Sequence, residues 1–140
     1  MKLLYIHQYF KTPKDAGGTR SYHFARKLIE NGHQVTMLTS NTHRRDWPFI
    51  RRVEIDGIQV IYIRNFYSNR MKTIARIFAF LKFVCLSTII SFRQRKIDLV
   101  FATSTPLTIG IPALLLKYLK KIPFVFEVRD LWPDIPISLG

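Results

Sequence analysis

With 140 residues, 48% of them hydrophobic, the chain can bury one sizeable core, which excludes disorder as its main state. Twenty-two Lys and Arg against nine Asp and Glu leave a net charge of +13, so an anionic partner is expected: nucleic acid, a phosphorylated ligand or an acidic membrane surface. The single cysteine, Cys85, excludes an intrachain disulfide and fits a reducing compartment; the N-terminus has no signal-peptide pattern, so the protein is expected on the cytoplasmic side.

Lys2 to His7 reads as a strand, followed by a polar loop that ends in Gly17-Gly18-Thr19-Arg20. A buried strand running through glycines into a helix aims the helix's free N–H groups at whatever lies above the sheet, which is the geometry of an anion site. The glycines also serve simply to make the turn, and they form neither a G-x-G-x-x-G fingerprint nor a Walker motif. Helix one is expected from about Gly18 to Glu30, with Asn31-Gly32 as its stop, and Gln34 to Thr39 as strand two. The loop beyond carries Arg44, Arg45, Trp47 and Phe49 and reads as a solvated basic loop. Arg52 to Ile63 gives two strand-like runs joined by Asp56-Gly57, the signal of a type I′ hairpin whose second arm is the third sheet strand.

From Met71 to Phe92 the pattern is helical and very apolar. A membrane span needs about 20 predominantly apolar residues, and the longest uncharged run here extends only from Phe83 to Phe92. On a helical wheel Ile74, Ile77, Phe78, Leu81, Cys85 and Phe92 form the stripe expected to pack on a sheet. The opposite side then sets Ala79, Phe83, Leu86 and Ile90 among Lys72, Arg76, Lys82 and Arg93. That mixture suits an anionic bilayer surface, so Lys72, Arg76, Lys82 and Phe83 are the expected membrane-facing residues; burial against a missing partner is the competing reading.

Ile97 to Ala102 is a continuous apolar strand, and Thr103-Ser104-Thr105-Pro106 reads as a hydroxyl-capped start of a helix running to Lys121. Pro123 to Val128 forms the fifth parallel strand, delivering Arg129-Asp130 to the carboxyl edge of the sheet, where open α/β folds bind ligands. The expected fold is therefore α/β, a Rossmann-like parallel sheet of order 3-2-1-4-5 with a hairpin arm, flanked by helices. His23, His33, His43 and Cys85 have no metal-ligand spacing, so no metal is expected, and His7 reads as a core-edge histidine.

Several stretches taken together carry a family resemblance: Gln8-Tyr9-Phe10 with Gly17-Gly18-Thr19-Arg20, Gly32 to Thr36, Thr103 to Leu107, and above all Glu127-Val128-Arg129-Asp130-Leu131-Trp132-Pro133-Asp134. In this order they resemble family-4 glycosyltransferases of the GT-B fold, and among them the N-acetyl-fucosaminyl transferase-like enzymes of bacterial surface-polysaccharide assembly. The resemblance implies that residues 1–140 are the acceptor-binding domain of a two-domain, metal-independent, retaining transferase. A nucleotide-sugar would be the donor, bound by a second domain, and a lipid-linked saccharide the acceptor, at the inner face of the cytoplasmic membrane. It implies Asp130 as the catalytic residue and Gly17, Gly18, Thr19, Arg20, Thr103, Ser104 and Arg129 as acceptor- or phosphate-binding residues. Two features depart from the family: Arg129-Asp130 stands where many relatives have a His-Asp-like pair, and Glu30, Glu54 and Glu127 include no pair eight apart. The donor domain is thus expected to be absent, and the chain to be a truncated frame or the first piece of a split gene, inactive alone.

Two other readings remain open at this point. The charge and the aromatic content suit a nucleic-acid-binding module, although no RNA or DNA motif is present and no nucleic-acid partner is expected. A membrane-surface adaptor without catalysis would keep the basic helix and leave the glycine loop without a ligand.

Overall fold

The computed structural model describes residues 1–41, 46–67, 71–104 and 106–129. Arg44, Arg45 and Asp130 lie outside the described residues. The strands are β1 (Lys2–Ile6), β2 (Gln34–Asn41), β3 (Ile50–Ile55), β4 (Ile58–Arg64), β5 (Leu99–Thr103) and β6 (Phe124–Glu127). The helices are α1 (Arg20–Glu30), α2 (Thr73–Arg93) and α3 (Gly110–Lys120), the last entered through a 3-10 turn at Leu107–Ile109.

The sheet order is β3-β4-β2-β1-β5-β6. All pairs are parallel except β3 with β4, so the expected 3-2-1-4-5 order with an antiparallel hairpin arm is observed. Asp56 and Gly57 turn the hairpin with φ of 49° and 82°, the double left-handed conformation of a type I′ turn. Tyr22 of α1 donates a 2.6 Å hydrogen bond to the Asp56 carboxylate, tying that turn to the helix.

Side-chain alternation divides the core between the two faces of the sheet. Tyr5, Val35, Met37 and Val60 bury against α1, with Ala25. Leu4, Ile6, Leu38, Ile63, Val100 and Ala102 bury against α2 and α3, with Phe83, Ile90, Ala113 and Leu116. Both faces are covered, as a parallel sheet requires.

Helix α2 corrects the sequence reading. Phe83, expected to face a membrane, is fully buried, and Ala79 and Ile90 are buried with it. Ile74, Phe78 and Leu81, expected in the core, are 70%, 67% and 48% exposed. Of the expected core stripe only Phe92 packs against the core cluster. The reason is steric: Ala79, Ser87 and Ser91 sit on the inward side and let the helix lie close to the sheet, whereas ranking the two sides by hydrophobicity chooses the bulkier, outer one. Arg76 shares the Ala79–Phe83 side and is half-buried, while Lys72 and Lys82 are exposed. By length and composition α2 could cross a membrane. In this fold its inner side is part of the domain core, so crossing would require the core to come apart.

The start of α3 is also corrected. Thr103 ends β5, and neither the Thr103 nor the Ser104 hydroxyl caps a helix; both bond to the β6 exit instead.

Two stability measurements follow from this packing. Phe83→Ala should cost roughly 3–5 kcal/mol in urea unfolding, and Phe78→Ala less than about 1 kcal/mol; the reverse order would restore the original orientation of α2. Gly57→Ala should cost about 1–2 kcal/mol, because φ is left-handed there while the added Cβ meets only ordinary contacts at 3.6 Å from Ile29.

Candidate active site at the carboxyl edge of the sheet

The exit of β1 is pinned to its neighbour. The Gln8 carbonyl accepts hydrogen bonds from the Ser40 N–H at 3.1 Å, the Ser40 hydroxyl at 2.7 Å and the Thr39 hydroxyl at 3.1 Å. The loop then folds on itself, with the Asp15 carboxylate accepting from the Thr12 N–H and hydroxyl. Gly17 takes a φ of 128°, which L side chains rarely adopt. Around Gly18 a Cβ would meet nothing within 4 Å, so a ligand can approach the backbone there. Thr19 is the N-cap residue of α1 and makes no side-chain capping bond, which leaves the first helical N–H groups without a side-chain cap.

A polar chain joins this loop to the ends of β5 and β6. The Arg20 guanidinium pairs with the Glu127 carboxylate at 2.6 Å. The other Glu127 oxygen accepts from the Thr103 hydroxyl at 2.9 Å, and that hydroxyl lies 3.2 Å from the Tyr5 hydroxyl. The Ser104 N–H donates to the Glu127 carbonyl at 2.8 Å, and the Arg129 N–H donates to the Ser104 hydroxyl at 2.8 Å. The Arg20 side chain is 69% exposed, so its ion pair is worth less than about 1 kcal/mol and serves mainly to hold the loop against β6.

Thr19, Arg20, Thr103, Ser104 and Arg129 therefore converge on the exits of β1, β5 and β6, with Gly17 and Gly18 in the loop that leads to them. Lys82 belongs to α2 and Lys72 is its N-cap residue. Sequence reasoning omitted Tyr5, Ser21 and Glu127 from the site. Glu127 had a readable signal: it is the sole acid between Asp98 and Asp130, placed at a strand's carboxyl end. Beside the site, the half-buried rings of Tyr9, Tyr67 and Phe80 form a row, with centroids 5.6 Å and 5.3 Å apart. The Gln8 amide is fully buried and has no hydrogen-bond partner among the described residues, at the β1 exit.

Burial dominates the ionisation of this region. The Tyr5 hydroxyl is pushed up to about 12, chiefly by desolvation. His7, 2% exposed with its Nδ1 2.8 Å from the Ser21 hydroxyl, is lowered to about 4 by burial first and by the Arg129 charge second. It is neutral at pH 7 and can act as a hydrogen-bonding group but not as a resident cation. Among the described residues no cluster of His, Cys, Asp or Glu could hold a metal ion. A cavity of about 470 Å³ opens at the opposite, amino edge of the sheet, lined in part by Lys2, His33, Gln59, Gln94 and Arg95. It lies at the amino ends of the strands, whereas open α/β sheets bind their ligands at the carboxyl ends.

The His7 shift sets a pH dependence. Its folded value lies below the ordinary 6.5, so the unfolded chain binds the extra proton first and stability falls as pH drops from about 6.5 through about 4. The difference amounts to roughly 3 kcal/mol at full protonation. Urea midpoints across that window should flatten in His7→Gln; an unchanged slope would place the titration elsewhere.

A family model for the glycosyl transferase 4-like domain matches residues 16–139. The curated proteins give no match. Two solved structures of the C-terminal domain of PF1911 hydrogenase from Pyrococcus furiosus, spanning its residues 78–226 and 83–215, are similar in fold, each with a TM-score of 0.62. The first is 15% identical and covers 90% of this chain and 89% of that one; the second is 16% identical and covers 90% of each. At such identity the likeness is one of fold alone. The family match spans most of the chain, from the glycine loop through the β6 exit: the chain belongs to the glycosyl transferase 4-like domain family.

Proposed function

We propose that this domain forms the acceptor half of a retaining, metal-independent glycosyltransferase that moves a sugar from a nucleotide-sugar to a lipid-linked saccharide in surface-polysaccharide synthesis. Membership of the family supports glycosyl transfer. The observation that carries the acceptor assignment is the Arg20–Glu127–Thr103 chain, which draws the uncapped N-terminus of α1, the open backbone at Gly18 and the β6 exit to one edge. That edge offers N–H groups and a guanidinium to a phosphate, and carboxylate and hydroxyl groups to sugar hydroxyls. The Tyr9–Tyr67 rings offer apolar faces beside them.

In this reading Gly17, Gly18, Thr19 and Arg20 hold the acceptor's diphosphate, while Thr103, Ser104 and Arg129 orient its saccharide. Asp130 acts on the acceptor hydroxyl, and a donor-binding domain brings the nucleotide-sugar from the other side of the cleft. The lipid-linked acceptor places the work at the inner face of the cytoplasmic membrane. Nucleic-acid binding is the weaker reading, since the family match supports glycosyl transfer and the sequence holds no RNA or DNA motif.

The chain should bind a short-chain lipid-diphosphate saccharide in calorimetry and bind the nucleotide-sugar at least about tenfold more weakly, a gap of roughly 1.4 kcal/mol. Gly18→Val should leave the urea midpoint nearly unchanged and weaken that binding, since the space it fills is empty. Tight binding of the nucleotide-sugar to the chain alone would make this the donor half. In a two-domain enzyme, Asp130→Asn should cut turnover while preserving acceptor affinity.

A further inference from the structure

The outer side of the α2–α3 layer is an unexplained surface. The two helices lie on the same face of the sheet, and their C-termini meet where the Lys120 ammonium caps the Phe92 and Gln94 carbonyls. Away from the sheet, α2 presents Ile74, Phe78 and Leu81, and α3 presents Leu114, Tyr118 and Leu119, all 42–70% exposed. A monomeric soluble domain rarely leaves large apolar side chains of two adjacent helices uncovered together.

Charge identifies the occupant. From Gly57 to Ile97 and again from Leu99 to Phe126 the chain contains no Asp or Glu, so neither helix carries an acid. Cations stand at both rims of the apolar band. Lys82 lies over the Phe49 ring, 5.6 Å from its centroid, beside edge strand β3; Lys117 lies 5.5 Å from the Phe124 ring centroid on the opposite edge strand, β6. Apolar rows with a long cationic side chain at either rim match a surface with an apolar interior beneath anionic headgroups. A protein partner would have to supply both properties on one face; an anionic bilayer has both by composition.

We infer that the outer α2–α3 face is the docking surface for an anionic lipid bilayer, with Phe78 and Tyr118 entering the acyl boundary and Lys82 and Lys117 at headgroup level. The helices run antiparallel to the parallel strands, so their N-terminal ends lie at the carboxyl edge. Docking therefore brings the candidate site to the headgroups, where a lipid-diphosphate is presented. This inference rests on the lipid-linked acceptor reading for its purpose, not for the surface itself.

The full chain is sedimented with vesicles of phosphatidylcholine alone and with phosphatidylglycerol added. Wild type should bind the anionic vesicles at least about tenfold better than the neutral ones. Phe78→Asp and Tyr118→Asp, both at exposed positions, should each lower binding to the anionic vesicles by about tenfold, and Lys82→Glu or Lys117→Glu severalfold, with circular dichroism unchanged. Lys27→Glu, on the opposite α1 layer, should bind like wild type. Equal loss in Lys27→Glu, undiminished binding of the face variants, absence of vesicle binding, or a concentration-dependent dimer dissolved by the face variants would each overturn the inference. Titration with a lipid-free acceptor saccharide separates the two ideas: acceptor binding without vesicle binding defeats only the docking surface, and vesicle binding without acceptor binding defeats only the transferase reading.

Discussion

The central position of β1 is the constraint on which the molecule depends. It pairs in parallel with β2 on one side and β5 on the other, so every backbone group of its interior is satisfied within the sheet. Its side chains fill both layers, with Leu4 and Ile6 under α2 and α3 and Tyr5 under α1. The direction of winding reverses at that strand: the chain passes to β2 and β4 on one side and returns to β5 and β6 on the other. A crevice must open above such a reversal, because the loops leaving β1 and β5 depart to opposite faces. The Arg20–Glu127 pair contributes little to stability, yet it joins the start of α1 to the end of β6 across that edge.

The two layers on either side of the sheet serve different ends. The α1 layer is closed off: Tyr22 anchors to the hairpin turn, and the Tyr5, Phe24 and Phe101 rings pack edge-on and tilted around the helix. The α2–α3 layer is acid-free and apolar outside. Much of the chain's net charge of +13 comes from the cations of the acid-free stretches that form that layer. Charge, apolar exposure and the crevice are thus parts of one geometry, in which the carboxyl edge and the outer helices share a corner.

The backbone plan was legible in the sequence because its signals are local. Strand periodicity, the Asp56-Gly57 turn and the Asn31-Gly32 stop each report on a few adjacent residues and delimit the elements, while the order of the sheet follows from doubly wound topology. The α2 orientation was not legible, since it depends on how closely a helix can approach the sheet; Ala79, Ser87 and Ser91 decide that by being small, while a hydrophobicity ranking rewards Ile74 and Phe78. The site was partly legible. Gly17, Gly18 and the strand-end residues carry motif signals, but Glu127 binds Arg20 across a sequence separation of more than a hundred residues, which no local pattern encodes. Thr103 and Ser104 were read as helix caps for the same reason: their partners, Glu127 and the Arg129 N–H, come from a strand that follows much later.

The ligand is assigned to the carboxyl edge, between the glycine loop and the β6 exit. Amide hydrogen exchange of the chain, with and without a lipid-diphosphate saccharide, tests this most directly. Exchange should slow at Gly17 to Ser21, at Thr103 and Ser104, and at Arg129, with Lys2, His33 and Gln94 unchanged. Protection confined to those amino-edge residues, around the cavity beneath β1, would contradict that assignment.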